Sequence, residues 1–88
     1  MVTREKVYKV IDTEREYQNE TWPEGDNQTI GDFILLIEEY ASQARNYWSK
    51  EHPPEINALN SIRKIAGIAV RCMECHGAIP RSWLKIYK

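Results

Sequence analysis

Thr29-Ile30-Gly31-Asp32-Phe33-Ile34-Leu35-Leu36-Ile37-Glu38-Glu39-Tyr40-Ala41 runs on through Ala44 and Trp48 to Lys50 and is cut by His52-Pro53-Pro54. This stretch decides the fold. Ile30, Phe33, Ile34, Ile37, Tyr40, Ala41, Ala44 and Trp48 recur at three- and four-residue intervals, the spacing that lines one side of an α-helix, and leave Asp32, Glu39, Gln43 and Asn46 largely on other faces. Thr29 offers a hydroxyl to the free amide of Asp32, whose charge suits the positive helix end, a near relative of the capping box. The spacing predicts a helix over 29–50. His52-Pro53-Pro54 then ends it, because proline disfavours helix in the residue before it and has no amide to donate.

Beyond the break, Pro54 suits a first-turn position, and Ile56, Leu59, Ile62, Ala66, Ala69, Val70 and Met73 continue the helical period over 54–76. With so short a turn between them, the two helices are expected to form a long antiparallel hairpin. Ile65, Ile68 and Cys72 add a second apolar strip to the later helix, more than one neighbour requires, which marks it as the central helix or as an oligomer seam. Ala66, Gly67 and Ala69 permit a close helix approach, and Gly77 fits a C-terminal cap ahead of Pro80.

Upstream, Val7, Val10, Ile11 and Tyr17 fall near a helical period that Glu14 and Arg15 interrupt, and predict a first helix over 2–18. The Pro, Gly, Asp and Asn of the following stretch predict a loop over 19–28 anchored by Trp22, and 77–88 reads as a tail. The expected fold is therefore all-α, with three helices in one domain spanning 1–88. Eighty-eight residues bury too little surface to divide into two cores, and a chain this small often completes its burial with copies of itself, so a homo-oligomer is expected.

Twelve Lys and Arg balance thirteen Asp and Glu, a net charge of −1 that gives no field to draw in a nucleic-acid backbone, although Arg81 to Lys88 is locally basic and aromatic. Nucleic acid is disfavoured as a partner. The start of the chain lacks the apolar stretch of an export signal, and the longest apolar run, Phe33 to Ile37, is far too short for a membrane span. Cys72 and Cys75, one helical turn apart, are expected as free thiols in the cytoplasm.

Several groups of residues could carry chemistry. Cys72-Met73-Glu74-Cys75-His76 matches the Cys-x-x-Cys-His signature of covalent haem attachment, but that chemistry needs a second axial ligand, for which only Met73, His52 or Met1 could serve, and an export signal that the sequence does not show. Zinc could use Cys72, Cys75, His76 and His52. A rise of about 1.5 Å per residue, however, sets His52 roughly 30 Å from Cys75. That site would need two subunits. The acidic residues Glu38 and Glu39, with Asp12, Glu14, Glu16 and Asp32, could hold magnesium beside a nucleotide pyrophosphate, or could be solvated and paired with nearby cations. Arg15, Arg63 and Arg71 supply planar forks for an anion, and Tyr17 and Trp22 flat faces for a base. The same residues could instead join the first helix to the third.

Ile11 to Gln18 with Trp22, and Ala58 to Ala66 leading to Met73-Glu74-Cys75-His76-Gly77-Ala78-Ile79-Pro80-Arg81, resemble a group of small proteins of tailed phages and prophages. In that group the position of Cys75 is commonly acidic, which makes the haem-like string coincidental. The resemblance implies a phage-type, non-enzymatic binding protein of the host cytoplasm, one that counters host defence by sequestering a nucleotide-like ligand or by covering a host factor. Arg15, Tyr17, Trp22, Arg63 and Arg71 would then form the ligand site, with no cofactor.

A more distant similarity, through Glu38-Glu39 in a helical hairpin, is to the MazG-like all-α nucleotide pyrophosphohydrolases, and implies magnesium on Glu38 and Glu39. Ser42 stands in place of that family's third glutamate, and Asn57 and Asn60 in place of its second acidic pair. The third alternative is a protein–protein interaction module, in which the second apolar strip of the last helix docks a partner helix.

Overall fold

The computed structural model describes residues 1–22 and 27–84. Its elements are α1 (Arg4–Thr21), α2 (Ile30–Lys50), α3 (Glu55–His76) and a short 3-10 turn at Arg81–Leu84, and no strand occurs among the described residues. The expected all-helical class is therefore observed. None of the described helices is long and apolar enough to cross a membrane.

Local chemistry sets the helix ends. The Thr29 side chain accepts from the Asp32 amide at 3.1 Å while the Asp32 carboxylate accepts from the Thr29 amide at 2.9 Å, a reciprocal capping box that fixes the start of α2. Thr3 caps α1 with a single bond, its side chain accepting from the Lys6 amide, so α1 begins at Arg4 rather than at Val2. Pro54 is the residue before α3 rather than part of its first turn, and gives no side-chain cap. At the far end Gly77 takes φ +116° and its amide donates to the Met73 carbonyl, a conformation that a side chain would strain.

α2 and α3 pack against each other more extensively than any other pair of elements. They run antiparallel: Asn57 donates to Glu51 beside the turn, Lys64 lies over the Tyr40 ring midway, and Phe33 meets the His76 ring edge-on at the far end. The His76 ring also bonds the Gln28 carbonyl at 2.8 Å, tying the approach to α2 onto the end of α3. Phe33, 1% exposed, and Ile68, 5% exposed, are the buried apolar side chains among the described residues. Most other large apolar groups meet solvent.

α1 lies against α3 and ends later than its sequence suggested. The predicted helix over 2–18 and loop from residue 19 are corrected to a helix continuing through Thr21. The cause lies far along the chain. Arg71 on α3 donates at 2.7 Å to the Trp22 carbonyl, a group that a helix C-terminus otherwise leaves to water, and makes a longer bond at 3.4 Å to the Gln18 carbonyl, which also accepts the Trp22 amide. Residues 1–10 are all exposed, so the first turns of α1 stand clear of α3.

Candidate functional site

The residues singled out as anion forks converge on the α1–α3 interface, where they bond one another's neighbours. Glu14 is its centre. One of its carboxylate oxygens accepts from Arg63 Nε at 2.8 Å and the other from Gln18 Nε2 at 3.1 Å. Gln18 also reaches the Lys64 carbonyl at 3.4 Å and, through its own oxygen, accepts from Arg15 Nη1 at 3.3 Å. Arg15 continues the chain of bonds to Asn19 at 3.0 Å and to Glu74, while Arg63 also donates to Asn60.

These contacts explain how charged groups can be buried here. Glu14, Arg15, Gln18 and Arg71 are all buried, and no buried side-chain nitrogen or oxygen among the described residues lacks a partner. An ionised side chain taken out of water without such partners would cost several kcal/mol. Partnered on every side, the same groups fix the register of α1 on α3.

Gly67 makes the close approach possible. A Cβ built there would lie 2.6 Å from Gln18 Nε2 and 2.7 Å from Glu14 Cγ, nearer than a methyl carbon can sit. Of the three small residues expected to allow close contact, it is Gly67 that carries α1, whereas Ala66 and Ala69 turn to a different side of α3. Arg63, Gly67 and Arg71 follow at four-residue intervals, so each arginine stands one turn from the glycine on the same face.

The remaining predicted residues are placed otherwise. Tyr17 is exposed, and Trp22 is 48% exposed, so its indole closes no core; its carbonyl, held by Arg71, is the anchor. Glu38 and Glu39 are both exposed on α2, and Glu39 accepts from Gln43. Cys72 is half-buried, Cys75 is exposed, and both are free. Among the described residues no three His, Cys, Asp or Glu side chains are grouped so as to hold a metal.

Glu14 stood in the sequence only as one of several acidic residues for magnesium or for pairing with cations, and Glu74 only inside the Cys-x-x-Cys-His string, though both belong to this network. Periodicity gave no sign of them, since Glu14 reads as a break in an apolar stripe. The available signal was the glycine flanked by arginines on α3, which calls for acceptors on whatever helix packs there. Comparison with protein-family models, with curated proteins and with solved structures finds no match to this chain.

Proposed function

We propose that this chain is a small, non-enzymatic interaction module that binds protein through its exposed apolar helix faces, of the kind a phage uses to cover a host factor. One observation carries this reading. Large side chains including Ile34, Trp48, Leu59, Ile62 and Met73 are exposed, while the arginines that could have gripped a nucleotide-like ligand are engaged with Glu14, Glu74 and backbone carbonyls. Contiguous apolar surface of this kind marks protein contact. An anion fork already filled by a carboxylate offers a second anion little, since the incoming group must displace a bonded partner.

The reading favours the host factor over the nucleotide-like ligand as partner, and binding over pyrophosphate hydrolysis. Its test combines two measurements. Isothermal titration with nucleoside triphosphates, cyclic dinucleotides and adenosine-diphosphate-ribose compounds is expected to give no heat. Incubation of nucleoside triphosphates with magnesium or manganese is expected to release no pyrophosphate. Heat abolished by Arg15→Ala or Arg63→Ala would overturn the reading in favour of sequestration, and release abolished by Glu38→Gln would overturn it in favour of the hydrolase.

A further inference from the structure

The apolar residues left exposed or half-buried on α2 and α3 are not scattered. On α2, Ile30, Ile34, Ile37, Ala41, Ala44 and Trp48 follow one another at alternating intervals of four and three, the repeat of a helix seam that packs against another helix. A separate line faces α3, where Phe33 meets His76 and Tyr40 meets Lys64, and Tyr47 continues it at the same seven-residue step. On α3, Leu59, Ile62, Ala66, Ala69 and Met73 show the same alternation, again apart from Ser61, Ile65, Ile68 and Cys72 on the α2 side.

Helix geometry places both free seams on one side of the hairpin. At about 100° per residue, the α2 seam lies about 80° round the axis from the line facing α3, and the α3 seam about 100° round from the line facing α2, in the same rotational sense. Because the helices run in opposite directions, equal senses of rotation bring the seams to the same face. α1 sits about 140° round α3 in the other sense and leaves that face open. The contacts between Phe33 and His76, Tyr40 and Lys64, and Glu51 and Asn57 set a register that brings Trp48 level with Leu59, Ala41 with Ala66, and Ile34 with Met73. The face is thus half of a layered core, large at both ends and small in the middle. Trp48 and Leu59 are 62% and 65% exposed on it.

We propose that a second copy of this chain covers the face, closing two hairpins into a four-helix bundle in which α2 packs antiparallel on α2 and α3 on α3. The proposal rests on the reading of the apolar surface as protein-binding and names the occupant of this part of it. Three observations select a second copy. First, the surface is complementary to itself about a two-fold axis through the Ala41–Ala66 layer: small residues meet at the centre, Trp48 is brought opposite Ile34, and Leu59 opposite Met73.

Second, charge agrees with the same axis. Glu38 and Arg45 flank the α2 seam on its outer edge, seven residues apart and almost evenly spaced about Ala41, so Glu38 of each copy meets Arg45 of the other. Third, the chain exposes more surface than a self-contained monomer of its size. The chain exposes 7296 Å², against about 5,400 Å² for a folded monomer of its mass, and its radius of gyration is 14.7 Å against about 12 Å for a compact chain of its length. The excess, about 1,900 Å², is spread over the whole chain, the exposed first turns of α1 included, and the open α2–α3 face is part of it.

Sedimentation equilibrium over a wide concentration range tests this, read alongside native mass spectrometry of protein taken directly from cells. The wild type is expected at twice the 10.4 kDa chain mass. Ala41→Glu, which puts a charge at the two-fold axis on a side chain exposed within one copy, should give a folded monomer with unchanged helical circular dichroism. Glu38→Arg or Arg45→Glu alone sets like charges together twice and should weaken the dimer roughly tenfold, and the double variant Glu38→Arg/Arg45→Glu should restore it.

A wild-type monomer at high concentration, or a dimer indifferent to Ala41→Glu, would overturn the bundle. Charge variants whose double exchange gave no recovery would overturn its antiparallel α2 pairing. In each case a chain free of small-molecule mass would leave the interaction-module reading standing. A retained mass of a few hundred daltons on an intact dimer would do the reverse.

Discussion

α3 is held on one side by α2 and on another by α1, and the two contacts work by different physics. Against α2 it uses Phe33 and Ile68, buried apolar groups whose stabilisation scales with the area removed from water and asks little of direction. Its contact with α1 joins Glu14, Arg15 and Gln18 of α1 to Arg63, Arg71 and Glu74 of α3, where nearly all the selectivity lies in which donor meets which acceptor. The apolar contact gives the hairpin its strength. The polar contact contributes less net stability, because each bond replaces one made to water, but it leaves α1 a single productive seat.

Breaking the apolar contact has the larger effect. Phe33→Ala should cost about 3–5 kcal/mol, the range for emptying a buried aromatic site. That is a large fraction of the total stability of so small a domain. Urea titration followed by circular dichroism reads it, and a loss below about 1 kcal/mol would place the strength of the hairpin elsewhere.

Glu14→Gln should cost about 1.5–3 kcal/mol despite its near-identical shape. Gln18 already commits its oxygen to Arg15 and its nitrogen to Glu14, so the new amide would turn an NH2 group toward another NH2 group. The same titration measures it. A neutral result would mean that the network rearranges freely and does not fix the register of α1.

Gly67→Ala sharpens the comparison further. The methyl group favours helix by about 1 kcal/mol, but it must displace Glu14 and Gln18 at an overpacking cost of about 1–3 kcal/mol. A net loss of about 1 kcal/mol is expected, concentrated in α1. Hydrogen exchange should accelerate in α1 while α2 and α3 keep their protection. A more stable protein would show that α1 can shift without penalty.

The two contacts also differ in how far they could be read from sequence. The hairpin was legible because its determinants are local: the Thr29–Asp32 box, the His52-Pro53-Pro54 break, the Gly77 cap and unbroken helical spacing all lie within a few residues of what they control. The end of α1 was not, because Arg71 sits 49 residues beyond the carbonyl of Trp22 that it caps. Nor did spacing reveal that Glu14 is buried, since a carboxylate goes inside only when partners from another helix receive it. For the candidate ligand set, sequence identified residues that do gather at one interface in the case of Arg15, Arg63 and Arg71, while Tyr17 and the Trp22 ring stay at the surface.

The polar seat of α1 has a thermal consequence. Exposing apolar surface raises heat capacity and exposing polar surface lowers it, so freeing Glu14 and Gln18 of α1 from Arg63 and Arg71 of α3 carries a far smaller heat-capacity change per unit area than parting α2 from α3. Apolar attachment weakens on cooling, whereas a contact built from hydrogen bonds and ion pairs does not share that decline. Chilling the protein therefore weakens the hairpin contact relative to the seat of α1, and warming shifts the balance the other way.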